Sequence, residues 1–291
     1  MTYSIYSTID SDYANQSLVF FKSFLNHNPQ LKLNVCCINF TDDKFAAYRN
    51  QLKQFPSITP IRVEFTDPLD YVDLSGEQHI FSYSYAKHLL ATMYKLKLFS
   101  SIETDYALYL DVDMLVRRDI SSLLKEYNTD FAGRCMPTLR GYEVNAGVLA
   151  VRKGLTGIYE KCPDFLKSKG GDYSPEEFYI SHAGFSITQL SSEYNYFKNY
   201  DLYDFPKDPY IVHFCGPIKP FSCEYLKNAN PQTKRNLINA ALDGYYAYFD
   251  EWYDTFDSIK DILDTGFTAE VNAAKQFYSS YLKISKLNFS K

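Results

Sequence analysis

The segment YALYLDVDMLV, residues 106–116, opens with an apolar run of strand-like composition and then places two carboxylates, Asp111 and Asp113, two positions apart. A short continuous apolar run bounded by polar residues is what a strand buried on both faces requires, so Tyr106 to Leu110 predicts a core strand. In an extended chain the side chains at i and i+2 point to the same face, which sets the two carboxylates side by side where the strand ends. Like charges that close do not both stay ionised without compensation. A cation with a preference for oxygen ligands supplies it, and Mg²⁺, Mn²⁺ and Ca²⁺ all qualify.

Before this strand the chain alternates between two patterns: YSIYSTI (3–9), NQSLVFFKSFLNH (15–27), LNVCCINF (33–40), DKFAAYRNQLKQF (43–55) and PIRVEF (60–65). The alternation predicts βαβ units and a mostly parallel central sheet flanked by helices. A polar stretch, TDPLDYVDLSGEQ (66–78), then gives way to a helical pattern from Tyr85 that leads into the opening strand. Beyond it, Asp119 is placed to cap a short helix, and TDFAGRC (129–135) and VNAGVLAVRKG (144–154) read as strands. Helices are expected near 154–169 and 175–190. YIVHFCGPIKPF (210–221) adds a short apolar run that ends at His213 and passes into a turn. From about residue 225 the pattern is helical, which divides the chain into an α/β domain, 1–225, and a helical C-terminal extension, 226–291.

With 291 residues, 46% of them hydrophobic, the chain is long enough to bury a full core. A net charge of -5 argues against a nucleic-acid partner, because backbone phosphates are held by clustered Lys and Arg. The start, MTYSIYSTID, lacks a basic segment followed by an apolar one, so a cytoplasmic location is expected. The six cysteines show no CxxC spacing and read as free thiols, with Cys36 and Cys37 on opposite faces of a strand.

A second D-x-D pair, Asp10 and Asp12 in TIDSDYA (8–14), falls at a strand-to-helix junction, where Asp also serves as a helix cap. Both pairs lie at the carboxyl ends of strands, where parallel α/β sheets bind ligands. His213 sits at another such end and would add a nitrogen ligand, favouring Mn²⁺ over Mg²⁺.

Taken together, ALYLDVDMLVRRDISSLL (107–124), VNAGVLAV (144–151) and IVHFCGPIKPF (211–221) resemble the successive motifs of the retaining glycosyltransferases of family 8. That family includes glycogenin and bacterial lipooligosaccharide α-galactosyltransferases. DSDYANQSLVFFKSFLNHNP (10–29) is similar to the nucleotide-binding start of the bacterial members, so the resemblance spans residues 5 to 221. It implies a GT-A nucleotide-sugar-transferase fold and Mn²⁺-dependent transfer of glucose or galactose from a UDP-sugar, with retention, to an acceptor hydroxyl on a glycan or glycolipid.

The resemblance also assigns roles. Asp111, Asp113 and His213 match the metal ligands, while Asp10, Asp12 and Tyr13 match the uridine site. Val112 falls with the donor-binding residues, and His79 and Asn145 match positions lining the donor-sugar pocket. Gly216 and Lys219 match the loop that closes on the diphosphate. For the basic residue on the helix before the D-x-D strand, Lys95 fits the spacing and Lys87 the local wording. The family's Asp-Gln pair beneath the sugar is replaced by Glu176 and Glu177, which also read as an ordinary acidic first turn behind Pro175. Either Glu177 attacks the sugar in a double displacement, or the leaving phosphate deprotonates an acceptor arriving on the same face.

Two other functions share parts of this pattern. A sugar-nucleotide nucleotidyltransferase uses an Asp-metal site in a similar sheet but needs a Gly-rich triphosphate loop that YSTIDSDYANQS (6–17) lacks. An inactive carbohydrate-binding protein of the same fold would lose metal ligands, and all three are present. The tail AAKQFYSSYLKISKLNFSK (273–291) sets Phe277, Tyr278, Tyr281, Leu282 and Leu287 near one helical face, to be laid on a membrane surface or packed on the catalytic domain.

Overall fold

The computed structural model describes residues 1–66, 83–138, 141–169, 174–197, 208–216, 218–231 and 247–288, and within them the side chains outside 83–90, 247 and 281–288. Tyr106–Leu110 does form a strand, β4, buried at every position. It lies in a seven-stranded sheet with β1 (Tyr3–Ile9), β2 (Leu33–Ile38), β3 (Ile58–Val63), β6 (Phe131–Thr138), β7 (Gly141–Arg152) and β8 (Ile187–Gln189). The spatial order is β3-β2-β1-β4-β7-β6-β8, and β7 alone runs against the other six. A separate antiparallel pair joins β5 (Met114–Val116) to β9 (Ile211–His213).

Period-two alternation sorts the sheet's side chains into two cores. Tyr106, Leu108 and Leu110 of β4, with Leu33, Val35 and Cys37 of β2, enter the larger one. Ala107, Tyr109, Cys36 and Ile38 enter the other. The first core is covered by α1 (Ala14–His27), by Tyr48 of α2 (Asp42–Gln51) and by the C-terminal helices; the second by α3 (Tyr83–Ser100), α4 (Ile158–Lys169) and α5 (Pro175–His182). This is a GT-A-like α/β fold with a mostly parallel sheet. All six cysteines are free, as expected.

Two elements differ from the expectation. The helix predicted over 175–190 stops at His182, because Gly184 takes a left-handed φ of 86°, and the chain then extends into β8. Residues 114–116, expected to run toward a helix, instead form β5; the helical part is one short turn, Ser121–Leu123, where Asp119 Oδ1 accepts from Ser121 N at 2.7 Å.

Among the described residues, the C-terminal helices are α6 (Glu224–Asn228), which crosses the expected boundary at 225, α7 (Ala247–Asp257) and α8 (Thr265–Asn288). Phe249, Trp252, Tyr253 and Phe256 recur at helical spacing on one face of α7 and are buried in the larger core. Arg117, just beyond β5, grips Glu251 through Nε at 2.7 Å and a terminal nitrogen at 2.9 Å. On α8, Val271, Ala274 and Tyr278 face the same core, and the Tyr278 hydroxyl donates to Ser222 O at 3.0 Å. This corrects the membrane-surface alternative as far as Tyr278: the apolar face is turned inward there, with Phe277 packed at its edge. The side chains of Tyr281, Leu282 and Leu287 lie outside the described residues. No described helix is long and apolar enough to cross a membrane.

Candidate active site

The carboxylates at the end of β4 are held by backbone hydrogen bonds on both sides. Asp111 N donates to Gly147 O at 2.8 Å, and Phe214 N donates to Asp113 O at 2.9 Å. The register of β5 against β9 pairs Met114 with His213, which brings the imidazole to the two aspartates. His213 Nε2 lies 3.1 Å from Asp113 Oδ1 and 3.9 Å from Asp111 Oδ2. One ligand atom from each of the three residues falls within 4.8 Å of the others.

Each carboxylate also has its own ammonium. Lys95 Nζ is 3.0 Å from Asp111 Oδ1 and 3.6 Å from Glu176 Oε1, and it lies 4.9 Å from the centre of the Tyr109 ring. Burial pushes the Lys95 ammonium down, but Asp111, Tyr109 and Glu176 outweigh it, so the group is held well above its ordinary range. Lys219 bonds Asp113 Oδ2 directly. Burial alone would raise the Asp113 carboxyl, yet Lys219 and His213 hold it far below the usual carboxylate range. Of the two lysines considered on α3, Lys95 is thus at the carboxylates, while the side chain of Lys87 and all of His79 lie outside the described residues.

The tautomer of His213 follows from a chain of bonds that starts at the backbone. Between Gly133–Leu149 and Arg134–Asn145 the register of β6 against β7 shifts, so Ala146, Gly147 and Val148 form a bulge beside the site. In this bulge Gly147 N donates to Asn145 Oδ1 at 3.1 Å, and Ala146 N donates to Glu177 Oε1 at 2.8 Å. Asn145 Oδ1 is therefore an acceptor, its Nδ2 donates to Glu177 Oε1 at 2.9 Å, and Asn195 Nδ2 donates to Asn145 Oδ1 at 2.8 Å. That leaves Asn195 Oδ1 facing His213 Nδ1 at 3.0 Å, so Nδ1 carries the proton. Nε2 then points its lone pair at the carboxylates, and a cation or a second proton must lie in that contact. Two carboxylates and an imidazole fixed in this way fit a divalent cation of the Mn²⁺ or Mg²⁺ type.

On the Lys95 side the pocket is acidic and buried. Burial, with Glu176 beside it, pushes the Glu177 carboxyl up to about 8. Glu176 is 4% exposed, and its Oε2 has no hydrogen-bond partner among the described residues. The remaining expected residues are spread around the triad. Asp10 caps the turn after β1, accepting from Asp12 N at 2.8 Å and Tyr13 N at 3.2 Å. Asp12, Tyr13 and Lys219 line a cleft of about 320 Å³. Val112 turns its side chain into the larger core and its carbonyl toward Gln16 Nε2 at 3.5 Å. Gly216 has a φ of 81°, a conformation glycine adopts freely. Sequence reasoning missed Asn195, which belongs to no motif and reaches His213 only through the fold.

The description "Glycosyl transferase family 8" matches residues 4–166, more than half of the chain. The chain belongs to glycosyl transferase family 8. The match includes Lys95, both D-x-D pairs and Asn145; the glutamates, His213 and Lys219 lie beyond it and are placed by geometry. No curated protein matches the chain. Among solved structures, the galactosyltransferase LgtC in complex with donor and acceptor sugar analogues is similar at 19% identity, covering 80% of this chain and 99% of that one, with a TM-score of 0.59. GlyE of Streptococcus pneumoniae TIGR4, a glycosyltransferase, is 18% identical over 90% of this chain and 66% of its own, with a TM-score of 0.56. Mouse xyloside xylosyltransferase 1 is 13% identical over 74% and 99%, with a TM-score of 0.52. At these identities the likeness is one of fold, and the two names that carry a sugar, galactose and xylose, differ in it.

Proposed function

We propose that the chain transfers glucose or galactose from a UDP-sugar to a glycan or glycolipid hydroxyl, with retention, using a divalent cation held by Asp111, Asp113 and His213. The observation that supports this most is His213, whose Nε2 is aimed at two carboxylates by a hydrogen-bond chain anchored on the backbone. When bound, Mn²⁺ or Mg²⁺ supplies Lewis acidity toward the diphosphate leaving group. Lys219 swings from Asp113 to phosphate oxygens, and Gly216 lets the backbone approach them closely. Lys95 holds Asp111 in place and faces the hexose. Glu176 Oε2, without a partner among the described residues, accepts from a sugar hydroxyl, beside Asn145.

Glu177 is better suited to holding this pocket than to attacking the sugar. A carboxyl raised to about 8 is mostly protonated at neutral pH, and one of its oxygens already accepts two hydrogen bonds. This favours the route in which the leaving phosphate deprotonates an acceptor on the same face. Residues 1–225 form the catalytic part, and residues 226–291 extend it.

The test is UDP release from UDP-glucose and UDP-galactose, with Mn²⁺ and with chelator, by the native chain and by Glu177→Gln. Metal-dependent release that survives in Glu177→Gln is expected, since Gln mimics the protonated acid. A loss of orders of magnitude in the variant, with a trappable glycosyl adduct on the native chain, would restore the double displacement. Absence of release with every UDP-sugar would overturn the function. The same variant carries a pH signature. Glu177 binds its proton more tightly folded than unfolded, so its stabilising effect is full below about pH 4.5 and is lost as pH rises through about 8. Thermal melts should therefore show Glu177→Gln gaining on the native chain across that window.

A further inference from the structure

The triad has two unlike flanks. Beyond Lys95 lies the buried acid and amide pocket of Glu176, Glu177 and Asn145. At Lys219, which bonds Asp113, opens the cleft of about 320 Å³, lined by Tyr13 from the start of the chain, by Tyr225 of α6 and by Phe267 and Glu270 of α8. A donor whose diphosphate sits at the triad must send its hexose one way and its nucleoside the other. The acceptor has to reach the anomeric carbon, at the hexose end, so the Lys219 cleft lies at the wrong end of the diphosphate for it.

The chemistry of the cleft suits a nucleoside. Tyr13, Tyr225 and Phe267 place three aromatic side chains in its lining, the residue type that stacks on a planar base. Asp12 and Glu270 make it hostile to further phosphate, so what enters beyond Lys219 is uncharged and rich in hydroxyls. Glu270 is exposed, and it makes no hydrogen bond or ion pair among the described residues. Its two oxygens can accept from both hydroxyls of a ribose cis-diol.

We propose that the C-terminal extension completes the nucleoside end of the donor site, with Phe267 flanking the base opposite Tyr13 and Glu270 accepting from the ribose 2′- and 3′-hydroxyls. The proposal rests on the UDP-sugar function above and gives the extension a part in donor binding. Glu270 here is a specificity-determining residue for ribose.

The experiment is calorimetric titration of UDP and of 2′-deoxy-UDP, with Mn²⁺ present, into the full chain and into Glu270→Ala. Because Glu270 is exposed, the variant is expected to fold, and Trp252 fluorescence checks that it has. The native chain should prefer UDP by about tenfold, the worth of one hydrogen bond to a charged group; Glu270→Ala should weaken UDP by at least about that much and erase the preference. UDP bound equally by both proteins, or a ribose preference that survives the substitution, would overturn the role of α8 while leaving the donor intact. UDP that binds neither protein would overturn the donor itself.

Discussion

Asp113→Asn is expected to cut turnover of a UDP-hexose by about a thousandfold or more, the equivalent of the several kcal/mol that a metal contributes to leaving-group departure. The substitution keeps size and removes one anionic ligand. It also leaves Lys219, which is only 17% exposed, without its carboxylate partner. Removing one member of such a pair costs about 1–3 kcal/mol, so the apo protein should melt at a somewhat lower temperature yet remain folded. Steady-state kinetics with excess Mn²⁺, alongside circular dichroism, checks both. Full activity in the variant would show that the aspartates are structural.

Gly147→Ala should be nearly as damaging, although it touches no charged group. A Cβ at Gly147 would lie 2.3 Å from His213 Cε1, 2.7 Å from its Nδ1 and 2.9 Å from Met114 Cε. The ring has little room to retreat: it is 3% exposed, tied to Asn195 and set against Phe197. Overpacking of this kind costs about 1–3 kcal/mol. A displaced imidazole should weaken Mn²⁺ binding by about 10- to 100-fold, as loss of a supporting hydrogen bond does at other metal sites. Unchanged Mn²⁺ affinity in a folded Gly147→Ala protein would remove His213 from the ligand set.

These two positions mark how far the site was legible in the chain. Asp113 was readable because period two and a buried strand place paired carboxylates without knowledge of the fold. Gly147 stood inside a motif, but its reason is a neighbour 66 positions away in sequence, at 213, and appears only once β5 and β9 pair. Those strands have three residues each, too short for a periodic signal. Asn195 is hidden for the same reason, since its role depends on contacts across 50 positions to Asn145. Elsewhere the signal is local: Gly184, inside the helix expected over 175–190, takes the left-handed conformation that marks the end of α5. On the tail, helical spacing places Phe277 and Tyr278 on a face that the structure buries at Tyr278, but periodicity does not say what covers a face. The aromatic residues of α7 do, by burying Val271, Ala274 and Tyr278 in the same core as the sheet.

The lysines show a different limit. Lys95 was placed by spacing, and Lys219 by its loop, each as a partner for a donor. In the fold both first serve as partners for the aspartates, Lys95 to Asp111 and Lys219 to Asp113. Charge type is written in a sequence, whereas which opposite charge it meets depends on burial and register. The compensation demanded by the paired carboxylates therefore has two layers, two fixed ammonium groups and a cation that His213 is oriented to receive.

The most direct measurement is electron paramagnetic resonance of Mn²⁺ titrated into the full chain with UDP, followed by pulsed detection of nitrogen coupling. A single tight Mn²⁺ per chain, with coupling to an imidazole nitrogen that disappears in His213→Ala, is the result predicted from the geometry. A spectrum that remains that of free Mn²⁺, or a bound ion with no histidine coupling, would contradict it.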